Sequence, residues 1–151
     1  IHIEAGARVS GLAAAHHFTT IGTLAFVSGL TTVTRDVPPF TIYQGIPGKV
    51  RRLNEEGLRR KKVPEENKKA LKSLFRLIFR SKLNRHQAAE KAHEKGLDQF
   101  PECAYMLDFM ERSGSGAMGR GSEAERKKVD VDKRDGSFGY QASFDDKKKK
   151  K

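Results

Sequence analysis

The fold is decided by residues 3–38, written here six at a time: Ile3-Glu4-Ala5-Gly6-Ala7-Arg8, Val9-Ser10-Gly11-Leu12-Ala13-Ala14, Ala15-His16-His17-Phe18-Thr19-Thr20, Ile21-Gly22-Thr23-Leu24-Ala25-Phe26, Val27-Ser28-Gly29-Leu30-Thr31-Thr32 and Val33-Thr34-Arg35-Asp36-Val37-Pro38. Five of the six leading positions are Ile or Val, and the sixth is Ala15. The fifth position is Ala7, Ala13, Thr19, Ala25 and Thr31, small each time, until Val37 ends the series. A helix does not repeat every six residues, and plain strand alternation would not regenerate the small residue. A β-solenoid does both: each hexad is a short strand and a corner, the aliphatic side chain fills the prism, and the small one fits where the wall turns.

Downstream, Val37-Pro38-Pro39 marks the exit from the solenoid, because proline lacks the ladder donor and fixes φ. Phe40–Gly48 reads as a last extended stretch with a turn at Gly45-Ile46-Pro47-Gly48. Helical signals then run over 54–112. Asn54 is placed to cap a short turn, and Pro64 with Glu65 and Glu66 opens a longer helix. Its apolar stripe is Leu71, Leu74, Phe75, Leu77 and Ile78. Asn84 with Gln87 forms a capping-box pattern before 88–93, stopped by Gly96, and Pro101 opens a third long helix that turns Tyr105, Met106, Phe109 and Met110 inward and closes near Ser113-Gly114. The expected division is therefore a solenoid over 1–48, a helical domain over 49–113 and a disordered charged tail over 114–151.

The chain has 151 residues, 36% hydrophobic and 32% charged. That composition excludes wholesale disorder, and no apolar run is long enough to span a membrane. One cysteine, Cys103, excludes an intrachain disulfide framework and a multi-cysteine metal site; it reads as a packed residue. No metal or cofactor is expected. With no secretory pattern, the expected compartment is a reducing cytoplasm. The chain opens on Ile1 in mid-pattern, and a fragment of a longer protein is expected. The net charge of +11 is concentrated: residues 49–86 carry 14 basic and 4 acidic side chains, while 1–48 are neutral. Such a localised field gathers an anionic partner, whether nucleic acid, anionic lipid, a nucleotide-bearing substrate or an acidic protein.

The stretches Ala15-His16-His17-Phe18, Arg35-Asp36-Val37-Pro38-Pro39-Phe40 and Asn54-Glu55-Glu56-Gly57-Leu58-Arg59-Arg60-Lys61 stand in one ungapped order. Leu77-Ile78-Phe79-Arg80-Ser81 and Phe109-Met110-Glu111-Arg112-Ser113 follow. Together they resemble the C-terminal half of the acyl-[acyl-carrier-protein]–UDP-N-acetylglucosamine O-acyltransferase family, which opens lipid A biosynthesis. The resemblance covers residues 1 to about 120, and its most specific part is the Asn54–Lys61 segment. It implies a left-handed parallel β-helix followed by a helical domain, a homotrimer with active sites between subunits, and transfer of a 3-hydroxyacyl chain from acyl carrier protein to the 3-hydroxyl of UDP-N-acetylglucosamine. That reaction asks for a general base, donors for an oxyanion, an acyl groove, and cations for the diphosphate and the acidic carrier.

On the same resemblance, His16, His17, Asn54, Glu56, Arg60 and Lys61 are substrate contacts, and Phe26 with Gly29 lines the acyl groove. Lys49, Arg51, Arg52, Arg59, Lys62, Lys68, Lys69, Lys72 and Arg76 form the carrier-docking face. His17 stands where the family has glutamine, Lys61 where it has arginine, and Pro47 where many members have a histidine. From the residues alone, His16 and His17 are equally well corner histidines, Gly29 a corner glycine, Asn54 a helix cap and Arg60 a solvated position. The family's catalytic histidine matches no residue here, so neither His16 nor His17 takes that role. The expectation is that these 151 residues alone turn over no substrate, checked by acylation above a protein-free blank. Two alternatives stand beside this reading: another hexapeptide-repeat acyltransferase such as the pathway's N-acyltransferase, and a non-catalytic trimeric scaffold. A basic nucleic-acid-binding module is a third, and the lack of an aromatic stacking platform among the cations argues against nucleic acid.

Overall fold

The structure is a computed structural model that describes residues 1–122. The expected tail falls outside the described residues from 123 onward. Strands β1 (His2–Ile3), β2 (Arg8–Val9), β3 (Ala14–Ala15), β4 (Thr20–Ile21), β5 (Phe26–Val27) and β6 (Thr32–Val33) are each two residues long. They pair in parallel three hexads apart: Ile3 with Ile21, Val9 with Val27, Ala15 with Val33. Each coil is thus 18 residues, with three short walls.

The corners show how the hexad works. Gly6, Leu12, Phe18, Leu24 and Leu30 all have positive φ, between 53° and 69°, at the fourth position of successive hexads. The following N–H donates to the carbonyl three residues back, as from Ala7 to Glu4, Thr19 to His16 and Ala25 to Gly22. These are tight turns with a left-handed third residue. The small residue therefore does not make the corner; it follows it and points inward. Thr19, Ala25 and Thr31 are fully buried there, and Thr19 Oγ1 donates to the His16 carbonyl at 2.7 Å.

The last coil is two residues short. Ile21 bridges Val37 and Phe26 pairs with Ile42, offsets of 16 rather than 18. The shortening falls at Thr34–Asp36, where the Asp36 carboxylate accepts from the Thr20 N–H at 2.8 Å. Strands β7 (Thr41–Gly45) and β8 (Gly48–Leu53) then close the sheet as an antiparallel hairpin. The expected boundary at 48/49 lies inside this hairpin, because Val50 and Leu53 of β8, on either side of a register shift opposite Ile42 and Tyr43, both pack inward.

Helices α1 (Glu55–Arg60), α2 (Glu65–Phe79), α3 (Arg85–Glu94) and α4 (Pro101–Ser115) follow. Asn54 caps α1 through its side chain, the Asn84–Gln87 capping box forms in full, and Gly96 ends the α3 region at φ +64°. Leu71, Leu74, Met106, Phe109 and Leu58 are fully buried. Leu24 and Phe40 of the solenoid belong to this helical core, so cap and solenoid share apolar surface. A polar tie adds to it: Tyr105 of α4 donates to Glu4 Oε2 at 2.6 Å, and Thr23 donates to the same oxygen through its N–H and its hydroxyl. The segment expected to be disordered from 114 instead continues α4 to Ser115, then turns through a 3₁₀ segment at Gly119–Ser122 held on Asp36.

Candidate active site

The walls set the column of each outward side chain. Arg8 and Phe26 are register partners on β2 and β5, and Ile42 pairs with Phe26 on β7. Helix α1 crosses this wall at the first corner. Asn54 fixes it there: its Oδ1 accepts from Gly57 N–H at 3.0 Å, its Nδ2 donates to the Leu24 carbonyl at 2.8 Å, and its own N–H donates to Phe40 O at 2.7 Å. A cleft of about 670 Å³ lies between wall and helix, lined by Arg8, Phe26, Ile42, Glu56, Arg60 and Lys61 among others.

Five of the expected residues thus meet in one place: Phe26, Asn54, Glu56, Arg60 and Lys61. Arg8 was missed. Period arithmetic alone would have found it, since it lies one coil before Phe26. Asn54 lies in the cleft wall, but both ends of its amide are engaged by the fold. Glu56 accepts from Arg59 at 2.8 and 2.9 Å and from Arg60 Nε at 2.6 Å. The Arg59 hydrogen bonds, then those of Arg60, draw its carboxyl from 4.5 to about 2. Glu56 is therefore an ionised anchor for two guanidinium groups and too weak a base to take a substrate proton. The cleft has a cationic mouth and an apolar wall and contains no histidine. Such a lining can accept an anion beside an apolar group.

His16 and His17 stand elsewhere, at the third corner beside Phe18, with their rings 3.9 Å apart. Gly29 is exposed at the second corner, where an added Cβ would lie 3.2 Å from Gly11 O. Neither the histidine pair nor Gly29 lines the cleft on this chain. The expected docking cations divide as well. Lys49, Arg51 and Arg52 lie exposed on β8, Lys62 on the turn after α1, and Arg76 on α2. Arg59, Lys68, Lys69 and Lys72 border a second cleft of about 550 Å³ with Glu55, Glu56 and Glu65. Lys68 pairs with Glu65, and Lys72 Nζ lies 3.2 Å from Glu55. This face is a mixed lattice of charge rather than a bare basic patch. Among the described residues no helix is long and apolar enough to cross a membrane.

A family model described as UDP N-acetylglucosamine O-acyltransferase, domain 2, matches residues 36–118. An acyl-[acyl-carrier-protein]–UDP-N-acetylglucosamine O-acyltransferase of Gloeothece citriformis is 42% identical over 113 residues, 75% of this chain and 40% of that protein. The protein of the same name from Synechocystis is 50% identical over 91 residues, 60% of this chain and 33% of that one. Among solved structures, the UDP-N-acetylglucosamine acyltransferases of Bacteroides fragilis and Arabidopsis each superpose with a TM-score of 0.69 at 29% identity. They cover 74% of this chain and 43% and 40% of theirs. The chain spans less than half the length of these relatives. With the 18-residue coils, the helical cap and the match over 36–118, the chain belongs to the UDP N-acetylglucosamine O-acyltransferase family.

Proposed function

We propose that this chain forms the last coils and helical cap of an enzyme that moves a 3-hydroxyacyl group from acyl carrier protein to the 3-hydroxyl of UDP-N-acetylglucosamine, in the cytoplasm, as the first step of lipid A synthesis. The observation that carries the reading is the cleft in which Arg60 and Lys61 at the end of α1 face a wall made of Arg8, Phe26 and Ile42. Its cations suit the nucleotide diphosphate and its apolar wall suits an acyl chain. The exposed cations Lys49, Arg51 and Arg52 of β8 give the acidic carrier a surface of complementary charge.

The solenoid is read as left-handed and the assembly as a homotrimer. The separation of the histidine corner from the cleft supports the trimer, because a neighbouring copy could set its own histidine corner against this cleft. The proton acceptor for the sugar hydroxyl is not assigned to any of the 151 residues. Calorimetric titration of UDP-N-acetylglucosamine tests the cleft. Arg60→Ala and Lys61→Ala each remove one charged donor, worth about 1.5–3 kcal/mol, and weaken binding roughly tenfold or more. Unchanged affinity in both variants would remove the cleft from the substrate site. Light scattering at three times the protomer mass supports the trimer, and a stable monomer at high concentration opposes it.

A further inference from the structure

Beyond α4 the chain reverses at Gly116, φ +80°, and returns across the third corner of the solenoid. Its anchor is Asp36, the residue of the shortened coil. Oδ1 of Asp36 accepts from Thr20 N–H at 2.8 Å and from Arg120 N–H at 3.4 Å, and Oδ2 accepts from Ser113 Oγ at 2.7 Å. One carboxylate thus ties the end of α4 and the returning segment to the same corner. Gly119 makes the seat possible. Its φ is +63°, and a Cβ there would lie 2.1 Å from both Asp36 carboxylate oxygens. Ser122 Oγ closes the turn on Gly119 O at 2.7 Å.

This turn brings Arg120 onto His16. Its Nη1 lies 3.1 Å from His16 Nε2 and closer still to Nδ1. Nδ1 also stands 3.0 Å from the His17 carbonyl. With Nδ1–H donating to the His17 carbonyl, Nε2 is the ring nitrogen that accepts from Arg120, so both nitrogens are taken up by the chain itself. On the other side of the segment, a cleft of about 430 Å³ separates Met118, Gly119 and Ser122 from His2 and Glu4 of the first coil. The segment is seated on one carboxylate and one imidazole, with open space beside it.

We propose that Gly116–Ser122 is a strap that gates His16: while it is closed Arg120 occupies the imidazole, and a ligand that uses the ring nitrogens has to displace it. This deepens the functional reading above, and only its ligand arm rests on His16 belonging to the substrate site. The strap sits mostly beyond the family match, which ends at residue 118.

The test measures histidine carbethoxylation by diethyl pyrocarbonate in the 151-residue chain, read peptide by peptide by mass spectrometry. His86, with its side chain 84% exposed, is the internal reference. Gly119→Ala forces a methyl group onto Asp36 and lifts the strap. Arg120→Ala removes the cover without altering the backbone, and carries the test alone if Gly119→Ala disturbs folding. If the strap is closed nine-tenths of the time, release raises the His16 rate about tenfold and leaves His86 unchanged. Equal His16 rates in the wild type and Arg120→Ala overturn the proposal. UDP-N-acetylglucosamine added to Gly119→Ala separates the two readings. If it slows His16 modification, strap and substrate meet at that imidazole. If it does not while the tenfold release persists, the strap stands and His16 leaves the substrate site.

Discussion

Asn54 is the polar side chain that ties α1, and with it Glu56, Arg60 and Lys61, to the solenoid, beside the apolar contact of Leu58. Replacing it with alanine removes the cap on Gly57 N–H at 3.0 Å, a loss of about 1 kcal/mol. It also strips the Leu24 carbonyl, on a residue only 9% exposed, of its donor at 2.8 Å, which costs about 1–3 kcal/mol. Asn54→Ala is therefore expected to destabilise by about 3 kcal/mol, or about 6–12 °C in Tm for a chain of this size. Asn54→Asp separates the two terms. The carboxylate keeps the cap, in the first turn where negative charge is favoured, but sets an acceptor against the Leu24 carbonyl. It should lose about 1–3 kcal/mol and sit between the wild type and Asn54→Ala. Urea unfolding followed by circular dichroism reads both. Asn54→Ala within about 0.5 kcal/mol of the wild type would refute the claim that this amide joins cap to solenoid.

Phe109 is fully buried in the helical core, and Phe109→Ala should cost about 3–5 kcal/mol in the same unfolding assay, against less than about 1.5 kcal/mol for Met106→Leu. Glu56 titrates at about 2 when folded and near 4.5 when free, so its stabilising contribution is present above pH 4.5 and is lost as pH falls toward 2. The Tm gap between the wild type and Glu56→Gln should be present at pH 7 and close by pH 2; a gap independent of pH would contradict the Glu56–Arg59–Arg60 cluster. Burial, with Glu102 as the lesser cause, pushes the Cys103 thiol up to about 12. Cys103 should therefore ignore Ellman's reagent at pH 8 in the native protein and react at once in denaturant, and rapid native labelling would contradict the packing of α4.

The solenoid was legible because its signal is local and repeated: aliphatic leads at 3, 9, 21, 27 and 33 set the six-residue beat, and three beats make one coil. The corner was misplaced by one residue because the turning positions are Leu12, Phe18, Leu24 and Leu30, types that seldom adopt positive φ and so announce nothing. The helix caps at Asn54 and Asn84 were readable from residue type and spacing, since capping is settled within four positions. The site was only half legible. Residues on α1 and β5 share one cleft, whereas the pairing of Asp36 with Ser113 and Arg120 spans 77 and 84 positions. No local pattern encodes contacts at that range. The extra coil shortening at Asp36 hid for a related reason: two missing residues look like the end of a repeat until the strand pairs across the gap.

These residues are proposed to build the substrate-binding end of an O-acyltransferase. The most direct test replaces the 91 matching residues of the Synechocystis relative with those of this chain and measures acyl transfer from acyl carrier protein to UDP-N-acetylglucosamine. The chimera is expected to be active and to make an ester at the sugar hydroxyl, with turnover falling at least about tenfold when Arg60 and Lys61 are both changed to alanine. A folded chimera that makes no ester, or one indifferent to Arg60 and Lys61, would contradict that role.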